Sequence, residues 1–172
     1  MLSPETDFRF EAAQARNAAL RLLAVRSRAV EEIRNRLSQR YPATIVEQTL
    51  ARLQSEGLLN DAEFAQQWRS SRERRKPRSR GMIERELRDK GVEDSVISGT
   101  LEGYDSAGAA YRAAARYAAR QSHCDRATFD RRVGSFLNRR GFEPSVIRQT
   151  LQRLREELAE SEAGAEEQEG LV

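Results

Sequence analysis

The sequence is short of the residues that build covalent, metal and catalytic sites. Its 172 residues include one cysteine, Cys124, and one histidine, His123. A single cysteine excludes an internal disulfide and a thiolate zinc cluster, and free cysteine is typical of a reducing compartment. Both residues lie in a polar stretch, 121–125, which we interpret as a loop. We expect no cofactor, no metal and no enzyme activity, because no paired acids or phosphate-binding glycine loop accompany them.

Apolar residues are also scarce. Aromatic residues make up 6% of the chain, hydrophobic residues 38% and charged residues 33%. No stretch approaches the ~18 apolar residues of a membrane helix, and Glu5 and Asp7 make the N-terminus unlike a signal peptide. Helix-forming residues dominate and β-branched runs are absent, so the sequence predicts a cytoplasmic all-α protein built of thin helical layers.

Lysine is almost absent, and positive charge stops before the end of the chain. Of the 30 basic residues only Lys76 and Lys90 are lysines, and none follows Arg155. The seven glutamates beyond it leave residues 1–155 with a net charge of +10, compared with +3 for the whole chain. Arginine forks bind phosphates and carboxylates bidentately, which favours a polyanionic partner. The acidic tail either keeps a basic protein soluble or mimics the charge of DNA.

The chain repeats itself with a period of about fifty residues. Residues 83–92 match 133–142, each with an apolar pair four residues apart, then a basic residue, glycine and another apolar residue. Residues 95–101 match 145–151, and 44–50 form a third copy with one residue deleted. The deleted residue is the glycine of the turn, which is present as Gly91 and Gly141. Those two glycines predict helix ends with a left-handed residue.

Each repeat is interpreted as three helices. The pairs Ile33/Leu37, Ile83/Leu87 and Val133/Leu137 lie on single helix faces. A further helix precedes each pair, over roughly 11–26, from an N-cap at Asn60, and over about 107–120. The predicted organisation is a repeat at 11–57, a second at 58–104, a third at 105–158, and a disordered acidic tail at 159–172.

These residues resemble the RecX family, regulators of the RecA recombinase, over about 12–158. The most specific elements are residues 57–65 (GLLNDAEFA), the Arg-rich run leading into 83–92, and the turn at 140–142. The resemblance implies an elongated, curved array of three three-helix repeats that lies in the groove of the RecA–single-stranded DNA filament. It also implies negative regulation of filament growth, ATP hydrolysis and strand exchange in DNA repair and recombination. Three departures are local. The stretch 76–81 differs from the common Gly-x-Gly form before the helix of the second repeat. Ala29 stands where the family often has a capping serine, leaving Ser27 as a candidate cap, and the first turn lacks glycine.

The strongest candidate for filament or nucleic-acid binding is the segment 69–80. Seven basic residues there face the single acid Glu73, and such clustering attracts phosphates or acidic surfaces with strong salt dependence. The seven are Arg69, Arg72, Arg74, Arg75, Lys76, Arg78 and Arg80. A second candidate cluster consists of Arg131, Arg132, Arg139 and Arg140. A solvated basic surface is the alternative for both.

The aromatic residues could serve either the core or a binding site. Trp68 could stack on a base, but Phe64 lies four residues before it, which favours a role in the core. Tyr111 and Tyr117 are expected to fill space in an alanine-rich helix.

The alternatives to a RecA regulator are a helix-turn-helix-like nucleic-acid-binding protein that acts without RecA and a scaffold for an acidic peptide. Single-stranded DNA is contacted directly or through RecA, and a monomer is favoured.

Overall fold

The computed structural model describes the backbone of residues 4–169 and the side chains of residues 7–161. Within that range all regular structure is α-helical, which confirms the predicted class. The nine helices are α1 (Pro4–Val25), α2 (Val30–Leu37), α3 (Ala43–Ser55), α4 (Asp61–Arg75), α5 (Arg80–Arg88), α6 (Asp94–Thr100), α7 (Ser106–Ala119), α8 (Arg126–Asn138) and α9 (Pro144–Glu169).

The chain forms two compact units. The first comprises residues 1–69 and 85–102, and its core contains Ile33, Leu37, Val46, Leu50 and Leu53. These side chains come from α2 and α3, and the inner face of α1 covers them with Ala19. Alanine on that face allows the helices to approach closely, which suits a chain with few large apolar residues.

The second unit comprises residues 70–84 and 103–172. Its core combines the alanine stripe of α7 with larger side chains of α8 and α9, including Phe129, Val133, Leu137 and Leu154. Tyr111 and Tyr117 pack against this core, as predicted. Helices α4 and α5 each contribute residues to both units.

Burial follows the sequence period. Ile33, Ile83 and Val133 are all 0% exposed. Leu37, Leu87 and Leu137 are equally enclosed, at 2%, 0% and 0%. Thr49, Thr100 and Thr150 are buried as well, and the Thr150 hydroxyl donates to the Val146 carbonyl at 2.8 Å. The repeated sequence positions therefore play the same part in packing. The domain boundaries at 57, 104 and 158 remain a prediction.

Gly91 and Gly141 end their helices in the left-handed conformation, with φ of +79° and +82°. Both turns also lie against the start of another helix in the same unit. A β-carbon at Gly91 would stand 2.3 Å from Cβ of Glu31, and one at Gly141 would stand 2.4 Å from Cγ of Met82. Glycine is required at both turns by the backbone angle and by the close approach.

The turn after α2, which corresponds to these two turns, has no glycine. The Tyr41 amide donates to the Leu37 carbonyl at 3.0 Å, spanning four residues. The corresponding bond in the next repeat runs from Val92 to Leu87 at 3.1 Å and spans five. The deleted residue is therefore the left-handed one, and the ring of Tyr41 packs on the core.

Helix starts are capped either by the residue just before the helix or by a side chain distant in sequence. The Asn60 side-chain carbonyl accepts from the amides of Ala62 and Glu63, at 3.0 and 3.1 Å, as predicted. The expected cap at Ser27 is wrong: Ala29 is the N-cap of α2, and the Val30 amide donates instead to Oδ1 of Asp61 at 2.9 Å. A carboxylate 31 residues away replaces the missing serine.

Two predicted ends differ in the structure. Helix α1 begins at Pro4 rather than near residue 11. Helix α9 continues to Glu169, so the backbone of 159–169 is helical where disorder was predicted. Glutamate and alanine are strong helix formers, and a helix already nucleated by packing extends through them easily. The last three residues of the predicted tail lie outside the described range.

Removing a core leucine tests the packing register. Leu137→Ala is expected to lower the free energy of unfolding by about 2–5 kcal/mol, since the side chain is 0% exposed and leaves a cavity. Leu58→Ala makes the same change at a leucine that is 47% exposed, and it should cost less than about 1 kcal/mol. Chemical denaturation measures both, and equal losses would contradict the assigned core.

A pair of glycine substitutions separates backbone strain from close approach. Gly57 has φ of +72° with nothing within 4 Å of an added β-carbon, so Gly57→Ala should cost about 1–2 kcal/mol for the left-handed conformation alone. Gly141→Ala carries the same strain and must also displace Met82 and Ser79. We expect its loss in denaturation experiments to exceed that of Gly57→Ala by about 1–3 kcal/mol. Equal losses would show that the turn does not need the close contact.

Glu32 links three segments of the first unit. Its carboxylate accepts from Arg26 Nη2 at 2.7 Å and from the Ala29 amide at 3.4 Å, and it lies 3.3 Å from Lys90 Nζ. Burial of the carboxyl favours its neutral form, but the hydrogen bond from Arg26 and the charge of Lys90 outweigh it and hold the pKa at about 2. The ionised form is therefore stabilised by folding.

This network predicts a pH-dependent stability. Because the folded pKa of Glu32 lies below its ordinary value of 4.5, its contribution is present above pH 4.5 and is lost as the pH falls toward 2. Glu32→Gln should be less stable than the wild type at pH 7, and the difference should shrink over that window. Denaturation at several pH values measures this. A difference that stayed constant down to pH 2 would show that the carboxylate charge is not what stabilises.

Candidate functional site

The structure separates the basic residues of 69–80 into groups with different surroundings. Nη1 of Arg69 donates to the carbonyls of Thr100 at 2.6 Å and Glu102 at 3.4 Å, so this side chain holds the end of α6. Arg80 pairs with Glu84 at 3.0 Å. These two arginines have partners within the fold.

The middle of the segment is the end of α4 and the turn after it. Arg74, Arg75 and Lys76 are exposed, while Arg72 and Arg78 are half-buried. Pro77 and Ser79 are buried, and the Ser79 amide donates to the carbonyl of Arg140 at 3.1 Å. Cations suit the end of α4, where helix carbonyls lack partners. The turn is therefore fixed, and the charged side chains project from a defined surface.

The second predicted cluster is also divided. Arg131 and Arg139 are exposed. Arg132 donates to Oε1 of Gln121 at 2.7 Å and lies 3.3 Å from Sγ of Cys124. Arg140 is half-buried: its guanidinium stacks on Phe136, 4.4 Å from the ring centroid, and donates to the Pro77 carbonyl at 3.1 Å. Of the four, only Arg140 is brought to the segment 69–80 by a described contact.

These elements surround a cleft of about 770 Å³ in the second unit. It lies between the end of α4, the outer face of α7 and the turn after α8. The described residues lining it are Glu73, Arg74, Arg75, Pro77, Arg112, Ala113, Arg116 and Arg140. We call it the arginine cleft, after Arg74, Arg75, Arg112, Arg116 and Arg140. It joins members of both predicted clusters.

Sequence reasoning missed Arg112 and Arg116. Both are exposed on α7, four residues apart and therefore on one helix face. The signal was available, because Ala110, Ala114 and Ala118 form a buried stripe two positions away, on the opposite face.

Four of the five arginines that line the cleft have no carboxylate partner among the described residues, unlike several arginines elsewhere in the fold. Elsewhere Arg34 pairs with Glu47 at 2.8 Å and Arg155 with Asp130 at 3.0 Å. Among the described residues, Arg74, Arg75, Arg116 and Arg140 form no ion pair, and Arg112 lies 3.8 Å from Asp105. Burial, followed by the charge of Arg78, lowers the pKa of Arg140. The cleft therefore carries uncompensated positive charge.

The aromatic side chains considered from the sequence serve the fold. Nε1 of Trp68 donates to Oε2 of Glu86 at 2.7 Å, and Lys90 lies over its ring, 5.2 Å from the centroid. The Tyr111 hydroxyl donates to Glu157 at 2.7 Å, and Tyr117 stacks on Phe136 with centroids 4.7 Å apart. None of these rings lines the arginine cleft.

Other kinds of site were sought over the part of the chain that the structure describes. No group of three or more histidine, cysteine, aspartate or glutamate side chains there is arranged to hold a metal ion. His123 and Cys124 lie in the turn between α7 and α8, as predicted. None of the described helices is both long enough and apolar enough to cross a membrane.

Comparison with known proteins gives one consistent family. A model of the first three-helix domain of RecX matches residues 15–53, and a model of its second three-helix domain matches residues 60–101. The regulatory protein RecX of Pelodictyon phaeoclathratiforme is 37% identical over 137 residues, covering 79% of this chain and 86% of that protein. The regulatory protein RecX of Mycobacterium tuberculosis is 38% identical over 147 residues, covering 81% and 83%.

Solved structures share the fold. The crystal structure of RecX from Lactobacillus salivarius has a TM-score of 0.74 at 21% identity, covering 84% of this chain and 97% of that chain. A second crystal structure of a regulatory protein RecX has a TM-score of 0.70 at 24% identity, covering 81% and 72%. The helical arrangement is thus found in proteins whose sequences have diverged widely.

Proposed function

Because the chain belongs to the RecX family of regulatory proteins, we propose that it is a negative regulator of the RecA recombinase. In this proposal it binds the RecA–single-stranded DNA filament in its groove. Occupancy of the groove limits filament growth, ATP hydrolysis and strand exchange.

The observation that supports this proposal is the uncompensated charge of the arginine cleft. A filament of recombinase on DNA presents phosphates and acidic side chains, and both attract guanidinium groups. Five arginines on three separate elements converge on one cleft. A merely solvated basic face would not require that convergence.

Regulation of this kind needs binding and no chemistry. A chain with repeated helical modules that contacts adjacent protomers gains avidity, because the second contact forms at high effective concentration. Such a molecule blocks filament extension and strand exchange by steric obstruction. The helical class and the recurring buried positions fit this mode of action.

The alternative is a nucleic-acid-binding protein that acts without RecA. The same cleft would then meet phosphates alone. Affinity for bare single-stranded DNA, compared with affinity for DNA coated with RecA and a non-hydrolysable nucleotide, separates the two. Regulation of RecA requires tighter binding to the coated strand.

Replacing two arginines of the cleft should weaken inhibition of RecA. Arg74→Ser combined with Arg75→Ser is expected to raise the concentration for half-inhibition of RecA ATP hydrolysis about tenfold or more, since charge-assisted contacts are lost. The slope of log affinity against log salt concentration should fall by about one for each phosphate contact removed. Both residues are exposed, so the fold should survive.

The comparison variant is Arg131→Ser combined with Arg139→Ser, which removes the same charge from exposed positions outside the cleft. It should inhibit more strongly than the cleft variant. If the folded cleft variant inhibited as well as the wild type, the assignment of the cleft would be wrong. If the comparison variant alone lost inhibition, the site would lie at Arg131 and Arg139.

A further inference from the structure

Two basic residues occupy equivalent positions, one directly before each turn glycine. Lys90 lies 3.3 Å from the Glu32 carboxylate, and its ammonium lies over the Trp68 ring. Arg140 lies over the Phe136 ring in the same way, but its hydrogen-bond partner is the Pro77 carbonyl. The basic residue before the turn glycine is therefore paired with a carboxylate in the first unit and has no carboxylate partner in the second.

The walls of the arginine cleft carry five arginines and one acid, Glu73. None of the eight described residues that line it is aromatic, and Ala113 and Pro77 are the apolar residues among them. Stacking on aromatic rings is the usual way in which proteins hold the bases of single strands. Guanidinium forks bind phosphate oxygens bidentately. The cleft therefore offers guanidinium groups for phosphate and no aromatic ring on which a base could stack.

The spacing of the arginines suits a chain of phosphates. Arg112 and Arg116 are separated by one turn of α7, which places them about 6 Å apart along the helix axis. Successive phosphates in an extended single strand are separated by a comparable distance. Arg74 and Arg75 line the opposite side at the end of α4.

We propose that the arginine cleft binds the phosphodiester backbone of single-stranded nucleic acid without contacting its bases. Arg112, Arg116 and Arg140 hold the phosphates from one side, and Arg74 and Arg75 hold them from the other. This inference deepens the proposed function and rests on it for the nature of the partner. It adds that the readout is independent of base identity and even of base presence.

Three labelled probes of equal length test the inference on the full chain. They are a thymidine oligonucleotide, a strand of abasic sugar-phosphate units and a peptide nucleic acid with a neutral backbone. By fluorescence anisotropy the abasic strand should bind within about threefold of the thymidine strand, because no stacking is lost. The peptide nucleic acid should not bind. Abasic binding weaker by tenfold or more would overturn the proposal.

The cleft is tested by Arg112→Gln combined with Arg116→Gln, since glutamine keeps the helix propensity of α7. We expect affinity for both charged strands to fall about tenfold or more and the salt slope to fall by roughly 1.4. Arg36→Gln combined with Arg40→Gln removes the same charge from exposed positions in the first unit and should change affinity less than about twofold. Equal losses in the two variants would overturn the assignment to the cleft.

A separate assay distinguishes this inference from the proposed function. Wild-type protein is added to RecA on single-stranded DNA, and ATP hydrolysis is followed. If hydrolysis is unaffected while the abasic strand still binds through Arg112 and Arg116, the proposed regulation of RecA fails and the backbone site stands. If hydrolysis is inhibited while the Arg112→Gln, Arg116→Gln variant binds strands normally, the backbone site fails and the regulation stands.

Discussion

A turn can rest against the start of another helix only where no side chain stands between them. Gly91 and Gly141 meet this condition, since an added β-carbon would lie well inside contact distance of Glu31 or Met82. The approach lets backbone bond to backbone, as between the Ser79 amide and the Arg140 carbonyl. The arrangement of each unit depends on this contact. It holds the residues on both sides of the turn in place, although the chain has few large apolar side chains to pack there.

The same contact creates the candidate site. The residue before each glycine is basic, and the turn carries it toward the segment on which the turn rests. In the first unit that segment supplies Glu32, and the charge of Lys90 is compensated. In the second unit it supplies the carbonyl of Pro77, and Arg140 stays positive beside Arg78. The candidate site therefore differs from the equivalent position in the first unit by the lack of one carboxylate.

Many charged side chains are paired with an opposite charge within the fold, and others are not. Glu32 joins Arg26 and Lys90, and Asp130 joins Arg155, so that much of the chain's charge is balanced locally. Partly exposed pairs of this kind contribute little to stability one by one. The cleft differs from these paired regions because four of its five arginines have no carboxylate partner among the described residues.

The sequence by itself determined the helical class, the fifty-residue register and the positions that are buried. These follow from local patterns: Ile83 and Leu87, or Val133 and Leu137, lie on one helix face, and a glycine after a helical run favours a left-handed helix end. It also indicated Arg74, Arg75 and Arg140 among its candidates. Only the tertiary structure decided which arginines meet, that Asp61 caps α2, and that Arg112 and Arg116 complete the cleft. Such contacts join residues tens of positions apart, and the periodic pattern of each helix carries no record of its neighbour.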